Sequence, residues 1–197
     1  MQADDPEDLY AWRKAERARL IAARRAMPLD DYQAATAEIM RQLEERLPSN
    51  RQTLVGGYWP FRREFDCLPY LRAVLAAGGQ VALPVVVKRN EPLIFRLWTE
   101  STRMEAGPWN ILHPAEGEPV FPAALVIPLV GFDPAGFRLG YGAGYYDATL
   151  ASFAHDPVTI GVGFEFSCLD SIYPQPHDIP LATIITEKRR REFRAKP

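Results

Sequence analysis

Leu9, Trp12, Leu20, Ala23 and Met27 fall on one side of a helix at about 100° per residue, so Leu9–Met27 reads as amphipathic. Arg13, Arg17 and Arg24 border that stripe, within about 40° of one another. A second helix is predicted from Asp31 to Leu47, with Asp30 as its cap and Pro48 as its stop. Thr53–Trp59 has the pattern of a short strand, and Leu68–Ala77 that of a helix closed by Gly78 and Gly79. Gln80–Val87 and Leu93–Trp98 are strands, joined as a hairpin around Arg89, Asn90 and Glu91. Residues 99–123 read as loop-rich. The continuous apolar run Ala124–Val130 is the mark of a central parallel strand, buried on both faces. Gly144–Ala154 then reads as a helix, Val158–Phe164 and Leu181–Thr186 as strands, and Glu187–Arg194 as a charged tail. Strands alternating with helices predict an α/β fold, a mainly parallel sheet covered by helices on both faces.

Composition adds limits. The 197 residues suffice for one well-buried domain, expected to span 1–197. A net charge of −2 gives no reason to expect a nucleic-acid partner. No apolar run is long enough for a helix to cross a bilayer, so no membrane partner is expected. The two cysteines, Cys67 and Cys168, lie far apart and fit no metal spacing; reduced thiols in the cytoplasm are the expectation.

The chemistry concentrates in FDPAGFRLGYGAGYYD, residues 132–147. Gly136, Gly140, Gly142 and Gly144 follow an apolar strand, surround Arg138 and lead into Tyr145, Tyr146 and Asp147. Glycines let backbone approach an anion, and the helix that follows offers free N–H groups. Asp147 adds a hard oxygen ligand suited to Mg2+. The bland alternative is a flexible surface loop, which has no need of Arg138 and Asp147. The spacing is neither that of the P-loop nor G-x-G-x-x-G. Arg138 is read as lying in a solvent-lined loop that adds little to the core.

Elsewhere each signal has two readings. Arg13 and Arg17, one turn apart, can aim two guanidinium groups at phosphates, or form a solvated rim. Glu64 and Asp66 follow the aromatic strand end Tyr58-Trp59-Pro60-Phe61, where open α/β sheets place ligands. Asp66 suits a helix cap, whereas Glu64 has no such task and fits the N–H donors of a planar heterocycle. Trp109 is either a lid on the core or a stacking platform. Asp178 alone is a turn-former. His113 and His155 are assigned to loops and His177 to a proline-rich turn, with no catalytic or metal pattern. Lys188–Arg191 reads as a solvated charge run.

The signature closely resembles that of the 5-formyltetrahydrofolate cyclo-ligase family. YWPFRREFD, VALPVVV, LIFRLW, PWNI and HDIPLATIITE follow the family's order along nearly the whole chain. The resemblance implies a three-layer α/β sandwich like the NagB/RpiA/CoA-transferase group. It implies ATP and Mg2+ acting on 5-formyltetrahydrofolate to give 5,10-methenyltetrahydrofolate, ADP and phosphate, in a monomer. Arg13 and Arg17 match an ATP-contacting pair on the first helix. Arg138, Leu139, Gly140, Tyr141, Gly142, Ala143, Gly144, Tyr145 and Tyr146 match the nucleotide loop. Trp59, Glu64, Trp109, Tyr141 and Tyr145 match the folate side. Asp147 and Asp178 match the Mg2+ carboxylates, and Arg138, Tyr145 and Tyr146 border the reaction. Two departures stand out: Arg13 where relatives often carry Lys, and Ala143 where they often carry Gly or Lys. The rivals are another ATP-dependent enzyme on this scaffold, or a non-catalytic folate- or nucleotide-binding regulator. Loss of Glu64, or of Asp147 or Arg138, would point to one or the other; all three residues are present.

Overall fold

A computed structural model describes residues 6–50, 53–89 and 91–193. Helices α1 (Pro6–Ala26) and α2 (Leu29–Arg46) come first, then strand β1 (Leu54–Gly56) and helix α3 (Leu68–Ala76). Strands β2 (Gln80–Val85) and β3 (Ile94–Trp98) form the expected hairpin, whose Asn90 lies outside the described residues. β4 (Met104–Ala106) and β5 (Leu112–Pro114) pair with each other, followed by β6 (Ala124–Pro128). A small hairpin of β7 (Gly131–Phe132) and β8 (Arg138–Leu139) precedes helix α4 (Tyr145–Ser152). β9 (Val158–Val162), β10 (Thr183–Ile185) and β11 (Arg190–Glu192) complete the order.

The main sheet runs β11-β10-β9-β6-β1-β2-β3. Its inner pairs are parallel and its two edge strands, β3 and β11, antiparallel. On one face Ile39 and Leu43 of α2 and Leu71 and Val74 of α3 pack against Val55, Val81, Val126 and Ile160. On the other, Leu150 of α4 joins Leu125, Ile127, Leu129 and Ile184. The expected α/β sandwich with helices on both faces is therefore present. Helix α1 lies on neither face. Its Leu20 packs with Val130, Leu139 and Ile172, beyond the carboxyl end of β6.

The strand order reverses at β1, since β2 joins one side of it and β6 the other. Strand β1 is also short. Its pairing with β2 ends at Gly56↔Ala82 and with β6 at Gly56↔Leu125. Gly57 follows, packed so closely on Leu71 that a Cβ would sit 2.4 Å from that side chain. The far halves of β2 and β6 are thus unpaired on their facing sides, and each carries a proline there, Pro84 and Pro128. Proline has no N–H to lose where a ladder ends. The result is a crevice at the topological switch point, the general ligand position in such sheets.

Several local expectations need correction. Pro28, not Asp30, occupies the cap position of α2, and Asp30 sits in the first turn with no side-chain cap bond. Asp66 accepts from the Leu68 N–H, but the cap position itself is Cys67. Residues 99–123 contain a hairpin, and His113 is a buried residue of β5 rather than a loop residue. Arg138 is a buried strand residue, not a solvent-lined one. The tail is not simply solvated: β11 pairs with β10, and Arg189 and Arg191 both grip Glu165. Strands Thr53–Trp59 and Leu181–Thr186 are shorter than expected: Leu181 N bonds to Gly136 O and Thr186 N to Arg189 O instead of extending a ladder, and β1 ends at Gly56.

Candidate functional site

The crevice encloses a cavity of about 370 Å3, within the range of small-molecule sites. All of the site residues suggested by the sequence line it: Arg13, Arg17, Trp59, Glu64, Trp109, the stretch 138–147 and Asp178.

One wall is cationic. Arg138 comes from β8, with its side chain only 4% exposed. Its Nη1 donates to Ile179 O at 2.8 Å, and its Nη2 lies 2.8 Å from Asp147 Oδ1 without hydrogen-bond alignment. That buried Nη2 has Asp147 as its ion-pair partner, and no aligned hydrogen bond to it is made among the described residues. Burial pulls the Arg138 guanidinium below its ordinary value, with Asp147 opposing. Arg17 is held by Nε to Gly140 O at 2.8 Å; burial and the neighbouring Arg13 lower it too.

The loop itself requires glycine. Gly142 has φ +98, and a Cβ there would stand 3.2 Å from the Arg17 guanidinium carbon. Gly144 takes the cap position of α4 at φ +66. The N–H groups of the first helical turn, Tyr145 to Asp147, have no intrahelical acceptor, and all three residues line the cavity.

The carboxylates are already partnered. Asp147 Oδ1 also accepts from Ile179 N at 2.9 Å. Asp178 Oδ2 takes Arg13 Nη2 and Gln175 N, both at 2.7 Å. Arg13 additionally donates to Ile172 O and Tyr173 O, so it pins α1 to this turn. Each aspartate keeps a second oxygen with no hydrogen bond among the described residues. Two such oxygens suit Mg2+, which binds few carboxylates and completes its shell with water and phosphate oxygens. No group of three or more His, Cys, Asp or Glu assembles a fuller cage among the described residues.

The opposite wall is built for a ring. Glu64 is 4% exposed, and its Oε2 accepts from Phe61 N at 2.8 Å. Desolvation raises the Glu64 carboxyl, while Arg24, Phe61 N–H and the Tyr141 hydroxyl pull it back. Trp59, Phe61 and Tyr58 surround it. Trp109 also lines the cavity and is 55% exposed, which is not the packing of a core lid. It and Asn110 have φ of 59 and 60, left-handed backbone that is strained for residues with side chains.

Arg24, behind the cavity wall, is the buried polar residue that the sequence reading most clearly missed. It is 3% exposed and meets Tyr141, Arg62 and Leu129, whereas the sequence marked it only as part of the basic stripe edge. Its helical phase with Arg13 and Arg17 was the available signal. His113 gave none, since only the β4–β5 pairing brings it to the cavity.

A switch-point crevice with a guanidinium-bearing wall facing an aromatic wall around a buried carboxylate defines an α/β protein with a small-molecule cleft. The particular kind follows from its relatives. The chain belongs to the 5-formyltetrahydrofolate cyclo-ligase family, whose profile matches residues 10–187. It is 30% identical over 186 residues to a 5-formyltetrahydrofolate cyclo-ligase of Mycolicibacterium smegmatis, covering 88% of this chain and 92% of that one. It is 28% identical over 174 residues to the Escherichia coli K12 enzyme of that name, covering 84% and 95%. The solved 5,10-methenyltetrahydrofolate synthetase of Aquifex aeolicus superposes with a TM-score of 0.78 at 27% identity, over 94% of each chain. The chain is accordingly an enzyme of the ligase class.

Proposed function

We propose that this enzyme closes 5-formyltetrahydrofolate to 5,10-methenyltetrahydrofolate, using ATP and Mg2+ and releasing ADP and phosphate, with residues 1–197 working as one domain and as a monomer. The observation that carries this reading is the facing of the two walls across one crevice. The buried Glu64 stands among rings on one side, and the buried Arg138 with its glycine loop on the other.

The 5-formyl group is amide-like and a poor electrophile. Its oxygen attacks the γ-phosphorus of ATP, and ADP leaves. The folate N10 then attacks the activated carbon and loses its proton. Breaking the carbon–oxygen bond expels phosphate and leaves the five-membered methenyl ring. In such a reaction the protein mainly positions groups and stabilises charge.

Glu64 accepts the N–H donors of the pterin, with Trp59 and Trp109 flanking the ring. Arg17, the Gly140–Gly144 backbone and the first turn of α4 bind the phosphates. Arg138 stabilises charge on the transferring group, with Tyr145 and Tyr146 beside it; its guanidinium carbon lies 5.9 Å from the centre of the Tyr146 ring. Asp147 and Asp178 would hold Mg2+, which when bound offsets phosphate charge. A second, shallower hollow of about 560 Å3 adjoins Trp109 and the loop, and gives room for the remainder of two large substrates.

The test is to mix protein, 5-formyltetrahydrofolate and MgATP and follow methenyl absorbance in the near ultraviolet. Product should appear, and omitting ATP or Mg2+ should abolish it. Formation at full rate without nucleotide overturns the ATP-driven scheme.

A further inference from the structure

The two walls of the crevice are joined by one phenol. Tyr141 belongs to the glycine loop, yet its hydroxyl donates to Glu64 Oε1 at 2.9 Å. The same hydroxyl accepts from Arg24 Nη2 at 2.8 Å. Arg24 is in turn fixed by two backbone oxygens. Its Nε donates to Arg62 O and its Nη1 to Leu129 O, each at 3.1 Å. One guanidinium on α1 thus ties the segment after β1, the end of β6 and the glycine loop. Its Nη2 also lies 3.9 Å from Glu64 Oε1, with both side chains 4% exposed.

Few polar contacts hold the middle of the loop, although the Tyr141 ring also packs on Phe61. A Cβ at Gly140 would meet open space, and Gly142 and Gly144 adopt left-handed backbone. Arg17 holds Gly140 O, and the Tyr141 hydroxyl holds the next residue. Glu64 meanwhile has capacity to spare. A carboxylate offers about four lone-pair sites. Tyr141 uses one on Oε1 and Phe61 N–H one on Oε2. A ring bearing N–H donors can therefore bind without displacing Tyr141.

From this arrangement we infer that Arg24 is a positioning residue, and that Arg24, Tyr141 and Glu64 form a latch making folate and nucleotide bind cooperatively. A ring bonded to Glu64 fixes the carboxylate. The carboxylate fixes the Tyr141 hydroxyl, whose other partner is already immobile. The loop then meets the phosphates with its middle restrained. The coupling passes through a contiguous set of hydrogen bonds, and it works in both directions. This rests on the reading of Glu64 as the folate-side acceptor.

The experiment measures dissociation constants of a non-hydrolysable MgATP analogue by calorimetry, with and without saturating 5-formyltetrahydrofolate. In the wild type folate should tighten nucleotide binding by roughly 5- to 150-fold, the usual span of such couplings. Tyr141→Phe keeps the ring and removes the hydroxyl, and should bring the ratio close to unity while both ligands still bind singly. Arg24→Lys keeps the charge, loses the fork and should lower the ratio to an intermediate value. A merely structural role for Arg24 would weaken folding without touching the ratio. A Tyr141→Phe ratio equal to that of the wild type overturns the latch. Methenyl formation by the wild type is followed in parallel. Product with an uncoupled wild type sinks the latch alone, whereas no product and no folate binding sinks the underlying reading together with it.

Discussion

Glu64 and Arg138 are two opposite charges in dry surroundings, each compensated incompletely by the protein. Glu64 should lose ring recognition when its charge is removed. Glu64→Gln is expected to weaken folate binding by about 10- to 150-fold, the equivalent of roughly 1.5–3 kcal/mol for a charged hydrogen bond. Nucleotide affinity measured without folate should change little. Calorimetry showing unchanged folate affinity would remove Glu64 from the ring site. Arg138→Ala should lower turnover by at least ~100-fold, as when a preorganised charge stabiliser is lost. It should also destabilise the fold by roughly 1.5–3 kcal/mol, because the half-buried Asp147 loses its charged partner and keeps the Ile179 N–H. Urea melts and steady-state rates test the two halves separately, and a fully stable, fully active variant would refute both. The second effect was not legible in the sequence. Glycines on both sides of Arg138 suggested loop, and only the β7–β8 pairing buries it. Arg24 shows the same limit: helical phase put it beside Arg13 and Arg17, but its acceptors lie 38, 105 and 117 residues away.

At the scale of elements, legibility followed burial on both faces. β6 could be read from its apolar run because a central strand needs no polar side. The β4–β5 and β7–β8 hairpins could not, since pairs of two or three residues leave no periodicity to detect. The edge strand β11 was hidden by its arginines. Charge on an edge strand discourages pairing with other chains, so the run looked like solvated tail. That strand is clamped through Glu165. Burial alone would raise this carboxyl, but hydrogen bonds from Arg191, Thr186 and Arg189 outweigh it and hold it at about 2. A depressed carboxyl contributes stability that is complete above its ordinary value of 4.5 and fades as pH falls toward 2. Wild type should therefore lose more melting temperature between pH 5 and pH 3 than Glu165→Gln does. Parallel acid limbs in the two proteins would show that the clamp adds nothing to stability.

For the molecule as a whole, the site spans segments from α1 to residue 178, so occupancy should stabilise the fold globally. A ligand at about 100 times its dissociation constant contributes about 2.7 kcal/mol. For a chain of this size each kcal/mol raises the melting temperature by roughly 2–4 °C, giving about 5–11 °C per ligand. Thermal melts with 5-formyltetrahydrofolate, MgATP and both together would show it, and no shift with either ligand would contradict the assignment of the crevice.

Arg13 grips Asp178 across 165 residues of chain. During synthesis at about 5–20 residues per second, the first helix waits roughly 8–33 s before that partner exists. Through that interval Arg24 and Arg17 can already reach Arg62, Leu129 and Gly140, while Arg13 has no carboxylate to close on. The crevice is therefore completed last at its Asp178 side, and a ribosome that stalls before residue 178 holds a site open along that one edge.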